Sequence, residues 1–141
     1  MRSARPRAPR APRRHEEHDQ QCMLIKWCAT FEHKYPALRN IFAIPNAGVA
    51  GGARRGGWLR AEGVKAGVPD LLLAWPMNGN NNRLFSMAGL WIEMKTATGR
   101  VSPEQKEWHE QLRRSGYAVA VCRSAEEAIE TISKYLGIPT A

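Results

Sequence analysis

Two short apolar stretches carry charged residues, and this combination most constrains how the chain can fold. The first, Gly67–Leu73, has Asp70 immediately before three leucines. The second, Trp91–Lys95, contains Glu93 and Lys95. Side chains alternate between the two faces of a β-strand, so Glu93 and Lys95 point to the same side. Burying charged groups is costly unless they are paired or bind an ion, so we expect these charges to form a site.

The two stretches are predicted to be neighbouring strands. An Asn- and Gly-rich segment, residues 77–82, lies between them and favours a reversal of the chain, which would pair the strands antiparallel. Asp70, Glu93 and Lys95 would then converge at adjoining strand ends. Two carboxylates suit a hard divalent cation, and an ammonium suits a phosphate or a water. This is the outline of a nuclease site.

The pattern Pro69-Asp70 followed by Glu93-x-Lys95 resembles the PD-(D/E)XK nuclease superfamily. Four segments together resemble, more narrowly, the VRR-NUC family of virus-type replication-repair nucleases: Ala61–Asp70, Ile92–Lys95, Ser102–Lys106 and Gly116–Val119. The resemblance extends over residues 16–136. It implies an α/β fold with a restriction-endonuclease-like αβββαβ core, in which helices flank a mixed β-sheet.

The activity expected of such a site is metal-dependent hydrolysis of DNA phosphodiester bonds. The candidate ligands of Mg²⁺ or Mn²⁺ are Asp70, Glu93, the backbone carbonyl of Met94, and Glu17. Lys95 would position or deprotonate the attacking water and stabilise developing negative charge. The resemblance adds Gln105 as a residue that orients this water or Lys95. No organic cofactor is expected.

The resemblance also implies a substrate and an assembly state. Standalone phage-type members of the family look like dimeric Holliday-junction resolvases, so branched DNA and a homodimer are expected. A flap, restriction-like or general DNA nuclease would use the same residues. A module that binds nucleic acid without cutting it is the alternative from another class, but it would be expected to lack one of Asp70, Glu93 or Lys95.

The first helix is predicted from about His15 to Lys34. Its apolar stripe consists of Leu24, Trp27, Cys28 and Phe31. Extended backwards at about 100° per residue, the stripe's centre lies within roughly 30° of Glu17 and about 70° from Glu16. The helix dipole explains an exposed first-turn acid such as Glu16. We therefore favour Glu17 over Glu16 as the third acid of the site.

Histidine and cysteine spacings do not indicate zinc binding. His15 and His18 are three residues apart, whereas a metalloprotease helix needs a spacing of four, and none of the four histidines is assigned to a metal. The three cysteines lack CxxC spacing and are expected to be reduced core residues. The chain has no apolar run long enough for a membrane span and no secretory signal. A cytoplasmic protein is expected, encoded by a phage or by its bacterial host.

Positive charge is concentrated at the N-terminus. The net charge of the chain is +8, and residues 1–14 contain six arginines. Without these six, the chain has 15 basic and 13 acidic residues. This Arg/Pro-rich segment is predicted to be a disordered tail suited to phosphate contacts, or simply a solvated one. Residues 15–137 are predicted to form the nuclease domain, and residues 138–141 a short C-terminal tail.

A Gly-rich run, residues 48–57, is predicted to be a mobile basic loop over the DNA backbone, or a plain linker. It is followed by one or two helical turns at Trp58–Glu62, closed by Gly63. Two positions before this run, Asn46 lies in Pro-Asn-Ala-Gly, where the family has Pro-Asn-Gly. The candidates for DNA contact are Asn46, Arg54, Arg55, Lys65 and Arg100.

The C-terminal part is predicted to run helix, strand, helix. Ser102 as N-cap and Gln105 at N3 form a capping box, which is a structural alternative to the catalytic role of Gln105. A buried strand at residues 117–122 should lie parallel to the Glu93 strand, because a crossover helix joins them. Ser124 and Glu127 form a second capping box at the start of a final helix that ends at Gly137.

Overall fold

A mixed β-sheet forms the centre of the computed structural model, which describes residues 13–45, 52–78 and 86–140. Its four strands are ordered β1-β2-β5-β6. The strands are β1 (Ile41–Ala43), β2 (Leu71–Leu73), β5 (Leu90–Met94) and β6 (Ala118–Cys122). The helices are α1 (Arg13–Phe31), α2 (Gly52–Ala61), α3 (Pro103–Arg114) and α4 (Ala125–Leu136), with a short 3-10 helix at Pro36–Asn40. The predicted α/β fold is confirmed.

The register of the central strands positions the charged residues. Strands β2 and β5 are antiparallel, and Leu71 is paired with Ile92. One step beyond this ladder, the same register sets Asp70 across from Glu93, and opposed positions share a face of the sheet. Strand β6 is parallel to β5. Both predicted strand pairings are therefore confirmed.

The connection between β2 and β5 contains a second, two-stranded sheet. Strand β3 (Met77–Asn78) pairs antiparallel with β4 (Ser86–Met87). The segment predicted to be only a polar loop therefore begins with a strand. The residues between β3 and β4 lie outside the described part of the chain.

The hydrophobic core lies between one face of the main sheet and the helices α1 and α4. It combines alternate residues of β2 and β5 with the apolar sides of both helices: Leu71, Leu73, Leu90, Ile92 and Met94 with Leu24, Cys28, Ala128 and Ile132. Because Ile92 and Met94 face this core, the residue between them, Glu93, projects from the opposite face. Helix α3 packs on that opposite face.

Helix α2 is the largest difference from the predicted elements. We expected one or two helical turns at Trp58–Glu62 after a mobile loop or linker, but the helix extends over Gly52–Ala61 and includes Arg54 and Arg55. Glycine disfavours helix by about 1 kcal/mol per residue, so a sequence-based expectation of loop is natural. Here Gly56 is buried and Leu59 is half-buried. Intrinsic propensity is a weak guide that the surrounding chain can override.

Smaller corrections concern burial and helix ends. Strand β6 is only half-buried along most of its length, because it is an edge of the described sheet. Cys22 is exposed, whereas Cys28 and Cys122 are buried as expected. Helix α1 begins at Arg13, two residues before the predicted start and within the segment assigned to the tail. Residues 1–12 lie outside the described part of the chain, so the tail itself stays a prediction.

The two predicted capping boxes differ in outcome. The box of Ser102 and Gln105 at the start of α3 is complete, with both reciprocal hydrogen bonds present. At α4, the Ser124 hydroxyl accepts from the Glu127 amide, but the Glu127 carboxylate accepts from the Arg123 amide at 2.7 Å. Helix α4 ends at Gly137 in the left-handed conformation, as predicted. No helix of the described segments is long and apolar enough to cross a membrane.

Gly67, in the turn before Asp70, packs closely against helix α3. Its φ is +85°, and a Cβ there would lie 3.0 Å from the backbone carbon of Glu104 and 3.0 Å from the Trp108 ring. Gly63 has a φ of +102° but open space around it. We predict that Gly63→Ala costs about 1–2 kcal/mol of unfolding free energy through backbone strain alone. Gly67→Ala should cost roughly 1–3 kcal/mol more, because α3 must also move.

Urea denaturation of the two variants and the wild type measures this difference directly. Equal losses for Gly63→Ala and Gly67→Ala would show that the contact between the Asp70 turn and α3 contributes nothing to stability.

Candidate active site

Asp70 and Glu93 lie side by side at the ends of neighbouring strands. Asp70 immediately precedes β2, and its Oδ2 accepts a hydrogen bond of 2.7 Å from the Met94 amide. Glu93 is on β5 and is 1% exposed. The two carboxyl groups are close enough for the negative charge of Asp70 to act on Glu93. The strand register thus brings together the two acids that the sequence predicts.

The two other predicted catalytic residues both contact one oxygen of Glu93. The Lys95 ammonium lies 3.2 Å from Glu93 Oε1, and the Gln105 side-chain amide donates to the same oxygen at 2.7 Å. The carbonyl oxygen of Gln105 meanwhile accepts from the Ser102 amide at 2.8 Å. Gln105 therefore closes the capping box and holds Glu93 at the same time. Its role in orienting the attacking water or Lys95 stays a prediction.

His109 is also part of this cluster, although it is not among the predicted site residues. It is 4% exposed, and its Nε2 lies 3.7 Å from Glu93 Oε2. Neither of these two buried atoms has a hydrogen-bond partner within the described residues. His109 follows Gln105 by four positions and so lies one turn further along the same face of α3. That helical spacing is the signal that would have revealed it.

Burial governs the electrostatics of the two acids. Desolvation raises the pKa of Asp70, against the opposing effects of the Met94 amide and Lys95. Desolvation, reinforced by the negative charge of Asp70, raises the pKa of Glu93 to about 7. Burial, with the positive charges of Arg113 and Lys95, lowers the pKa of His109. The pair of acids therefore holds protons more tightly than exposed carboxyl groups do.

Glu17 reaches the site from the first turns of α1. Its Oε1 accepts a hydrogen bond of 3.2 Å from the Thr96 amide, directly after Lys95, and its charge raises the pKa of both Asp70 and Glu93. Glu16 is exposed. Of the two adjacent acids near the start of α1, Glu17 is therefore the one that faces the cluster, as the projected stripe predicts.

A cleft of about 460 Å³ opens beside these residues. It is lined by Glu17, Thr96, Thr98, Gly99 and Arg100. Arg100, a predicted DNA contact, thus faces the same cleft as Glu17. The cleft offers a positive side chain and hydroxyl groups next to the buried acids, an arrangement that suits a phosphate.

Arg123 fixes the turn that forms the wall of this cleft. Its Nη1 donates to the carbonyl oxygens of Thr96, Ala97 and Gly99 at 2.9, 3.4 and 2.7 Å. One planar guanidinium group thus gathers three backbone acceptors. Sequence analysis did not single out this residue, because nothing in the sequence relates it to a turn more than 20 positions earlier.

The other predicted DNA contacts lie elsewhere. Arg54 and Arg55 are exposed on α2. The Lys65 ammonium lies over the Trp108 ring, 5.9 Å from its centroid, so this side chain already has a partner. Asn46 lies outside the described residues. No contact in the described structure joins these residues to the acid cluster.

The donor set is compatible with a hard divalent cation. Within the described parts, no three His, Cys, Asp or Glu side chains converge closely enough to hold an ion by themselves. Mg²⁺ often takes only one or two carboxylates and retains several waters. Asp70 and Glu93 supply two carboxylates, and the buried Glu93 Oε2 lacks a hydrogen-bond partner among the described groups. The residues therefore fit such an ion if backbone or water oxygens complete its coordination.

A mixed sheet flanked by helices, with Pro-Asp on one strand and Glu-x-Lys on its neighbour, defines a nuclease fold of the PD-(D/E)XK type. The family model of the VRR-NUC domain matches residues 4–126. The chain belongs to this family of nucleases. A solved structure described as a VRR-NUC domain protein is similar, with a TM-score of 0.68 and 25% identity, over 87% of this chain and 89% of that one. The search of curated proteins found no match.

The raised pKa of Glu93 predicts an unusual pH dependence of stability. A folded-state pKa above the unfolded value of about 4.3 means that the folded protein binds the proton more tightly. This contribution to stability is complete below the unfolded pKa and is lost as pH rises through about 7. In EDTA, we expect the Tm of Glu93→Gln relative to wild type to rise by roughly 5 °C from pH 5 to pH 8. Thermal unfolding followed by circular dichroism measures this change, and a difference independent of pH would contradict it.

A second prediction separates the two roles of Gln105. Gln105→Glu keeps an acceptor for the Ser102 amide but places a negative charge against Glu93. Gln105→Met loses both hydrogen bonds without adding a charge. We expect Gln105→Glu to be the less stable of the two at pH 8, by about 1 kcal/mol or more. Urea denaturation in EDTA tests this order. If Gln105 serves only as a cap, Gln105→Glu will instead be the more stable variant.

Proposed function

We propose that this nuclease is a metal-dependent DNA endonuclease whose reaction centre is the cluster of Asp70, Glu93 and Lys95. The observation that carries the proposal is the pair of adjoining carboxyl groups, Glu93 buried and Asp70 half-buried, with an ammonium 3.2 Å from Glu93. Two acids with raised pKa values destabilise each other when both ionise, and a divalent cation relieves this repulsion. Because the two ionised carboxylates repel each other without a cation, cation binding at this site is favoured.

Asp70 and Glu93 would hold Mg²⁺ or Mn²⁺, with the Met94 backbone carbonyl as a further ligand and Glu17 directly or through water. When bound, such an ion supplies positive charge that polarises the phosphodiester and makes nearby water more acidic. Carboxylate oxygens favour these hard cations over softer ones.

Lys95 has two possible tasks, both within reach of its ammonium group. It stabilises negative charge that develops on the phosphate, and it orients or deprotonates the attacking water. Gln105 and the pairing with Glu93 restrict where this ammonium lies. Arg100 and the hydroxyl groups of Thr96 and Thr98 would hold the phosphate in the adjoining cleft.

Branched DNA, as in a Holliday junction, is the proposed substrate, and a homodimer is the proposed active form. Both follow from the family resemblance. Symmetry supports the combination, because two cuts across a junction require two sites related by a twofold axis. Flap or linear duplex DNA is the alternative substrate for the same site.

Asp70→Asn tests the proposal. This change removes one charge and keeps the shape of the side chain and an acceptor for the Met94 amide. We expect cleavage of a four-way junction in Mg²⁺ to fall by about 100-fold or more, while DNA binding at low salt persists. Asp19→Asn is a suitable control, because Asp19 is an exposed acid on α1. The measurement is the rate of product formation on a denaturing gel.

Equal cleavage by Asp70→Asn and wild type would contradict the assignment, as would undiminished cleavage in EDTA. The same assay with linear duplex and flap DNA of matched sequence decides the substrate. Faster cutting of either than of the junction would favour the alternative.

A further inference from the structure

Helix α2 exposes an aromatic side chain that the reaction centre does not use. Trp58 is 67% exposed, more than Met23, Phe42 or Trp75, which are also large, apolar and exposed. Leaving an indole ring in water forgoes a large gain from burial. Trp58 is therefore available to bind a ligand.

The neighbours of Trp58 on the helix are positively charged. Arg54 and Arg55 precede it by four and three positions, so they flank it at about 40° and 60° around the helix axis. Both are exposed, whereas Gly56 and Leu59 form the packed side. The helix contains a third arginine, Arg60, and no acidic residue. Trp58, Arg54 and Arg55 form one surface, which we call the Trp58 face.

The Trp58 face is connected closely to the reaction centre. Helix α2 ends at Ala61, nine residues before Asp70, so the two are at most about 30 Å apart. The link is held at its start by a hydrogen bond of 2.8 Å from the Val64 amide to the Leu59 carbonyl. Near its end, Gly67 packs on α3. This separation is short enough for one nucleic-acid strand to span.

The chemistry of this face fits a single strand. Guanidinium groups bind phosphates, and an indole ring stacks on the face of a nucleobase. In a duplex, the faces of the bases are already covered by their neighbours, and only an unpaired base is free to stack. We propose that the Trp58 face binds single-stranded DNA next to the cut site, with an unpaired base on Trp58 and phosphates on Arg54 and Arg55. This proposal rests on the proposed function only for the assignment of DNA as substrate.

Binding of a labelled 15-nucleotide oligo(dT) tests the proposal, measured by fluorescence anisotropy in EDTA alongside a duplex of the same length. We expect Trp58→Leu to weaken binding of the single strand by about tenfold, and binding of the duplex by less than about twofold. Trp58→Phe keeps a ring that can stack and should remain within about threefold of wild type. Because Trp58 is exposed, the Tm of these variants should not change.

Two further variants separate stacking from charge. The double variant Arg54→Gln with Arg55→Gln should weaken binding of both the single strand and the duplex. It should also lower the slope of log K against log[salt] for the single strand by about 0.7 per lost phosphate contact. Trp58→Leu should leave this slope unchanged. Phe42→Leu removes another exposed aromatic ring, on a strand without charged residues, and should have no effect.

The proposal is overturned if Trp58→Leu binds oligo(dT) as tightly as wild type, if Phe42→Leu loses as much affinity, or if Trp58→Phe is as weak as Trp58→Leu. The first outcome would indicate that the face serves a protein partner or none. Because this assay needs no cleavage, its result does not depend on whether Asp70→Asn still cuts DNA.

Discussion

The proximity of two carboxyl groups, those of the half-buried Asp70 and the buried Glu93, is the interaction on which the rest of this structure depends. Burial raises the pKa of both, and the charge of Asp70 raises the pKa of Glu93 further. Such an arrangement lowers the stability of the metal-free protein at neutral pH. It is understandable as a site prepared for a cation, whose binding favours the ionised form that the fold by itself disfavours.

Several elements hold this pair in place through strand pairing, helix capping and close packing. The antiparallel register of β2 and β5 places the acids opposite each other. The capping box of α3 fixes Gln105, which in turn holds Glu93. Gly67 permits the close packing of the Asp70 turn on α3, and Arg123 shapes the turn after Lys95. Stability and function therefore use the same contacts, so a change at the helix cap is also a change at the site.

The sequence predicts those parts of the protein that are set by local patterns. Alternating burial and turn residues indicate the strands, and helix caps are visible at Ser102 and Gly137. The apolar stripe of α1 is sufficient to choose Glu17 over Glu16. Contributions that depend on tertiary contacts are not visible: the Arg123 contacts, and the helical state of the Gly-rich run, whose glycines favour a loop by intrinsic propensity. The exposure of Cys22 escapes prediction for the same reason.

Anomalous diffraction from crystals soaked in Mn²⁺ tests the central claim most directly. The account predicts one strong anomalous peak between the carboxyl groups of Asp70 and Glu93, at 2.0–2.3 Å from an oxygen of each, and no such peak in crystals of Asp70→Asn. A Mn²⁺ peak elsewhere in the protein, with these two carboxyl groups left without an ion at saturating concentration, would contradict it.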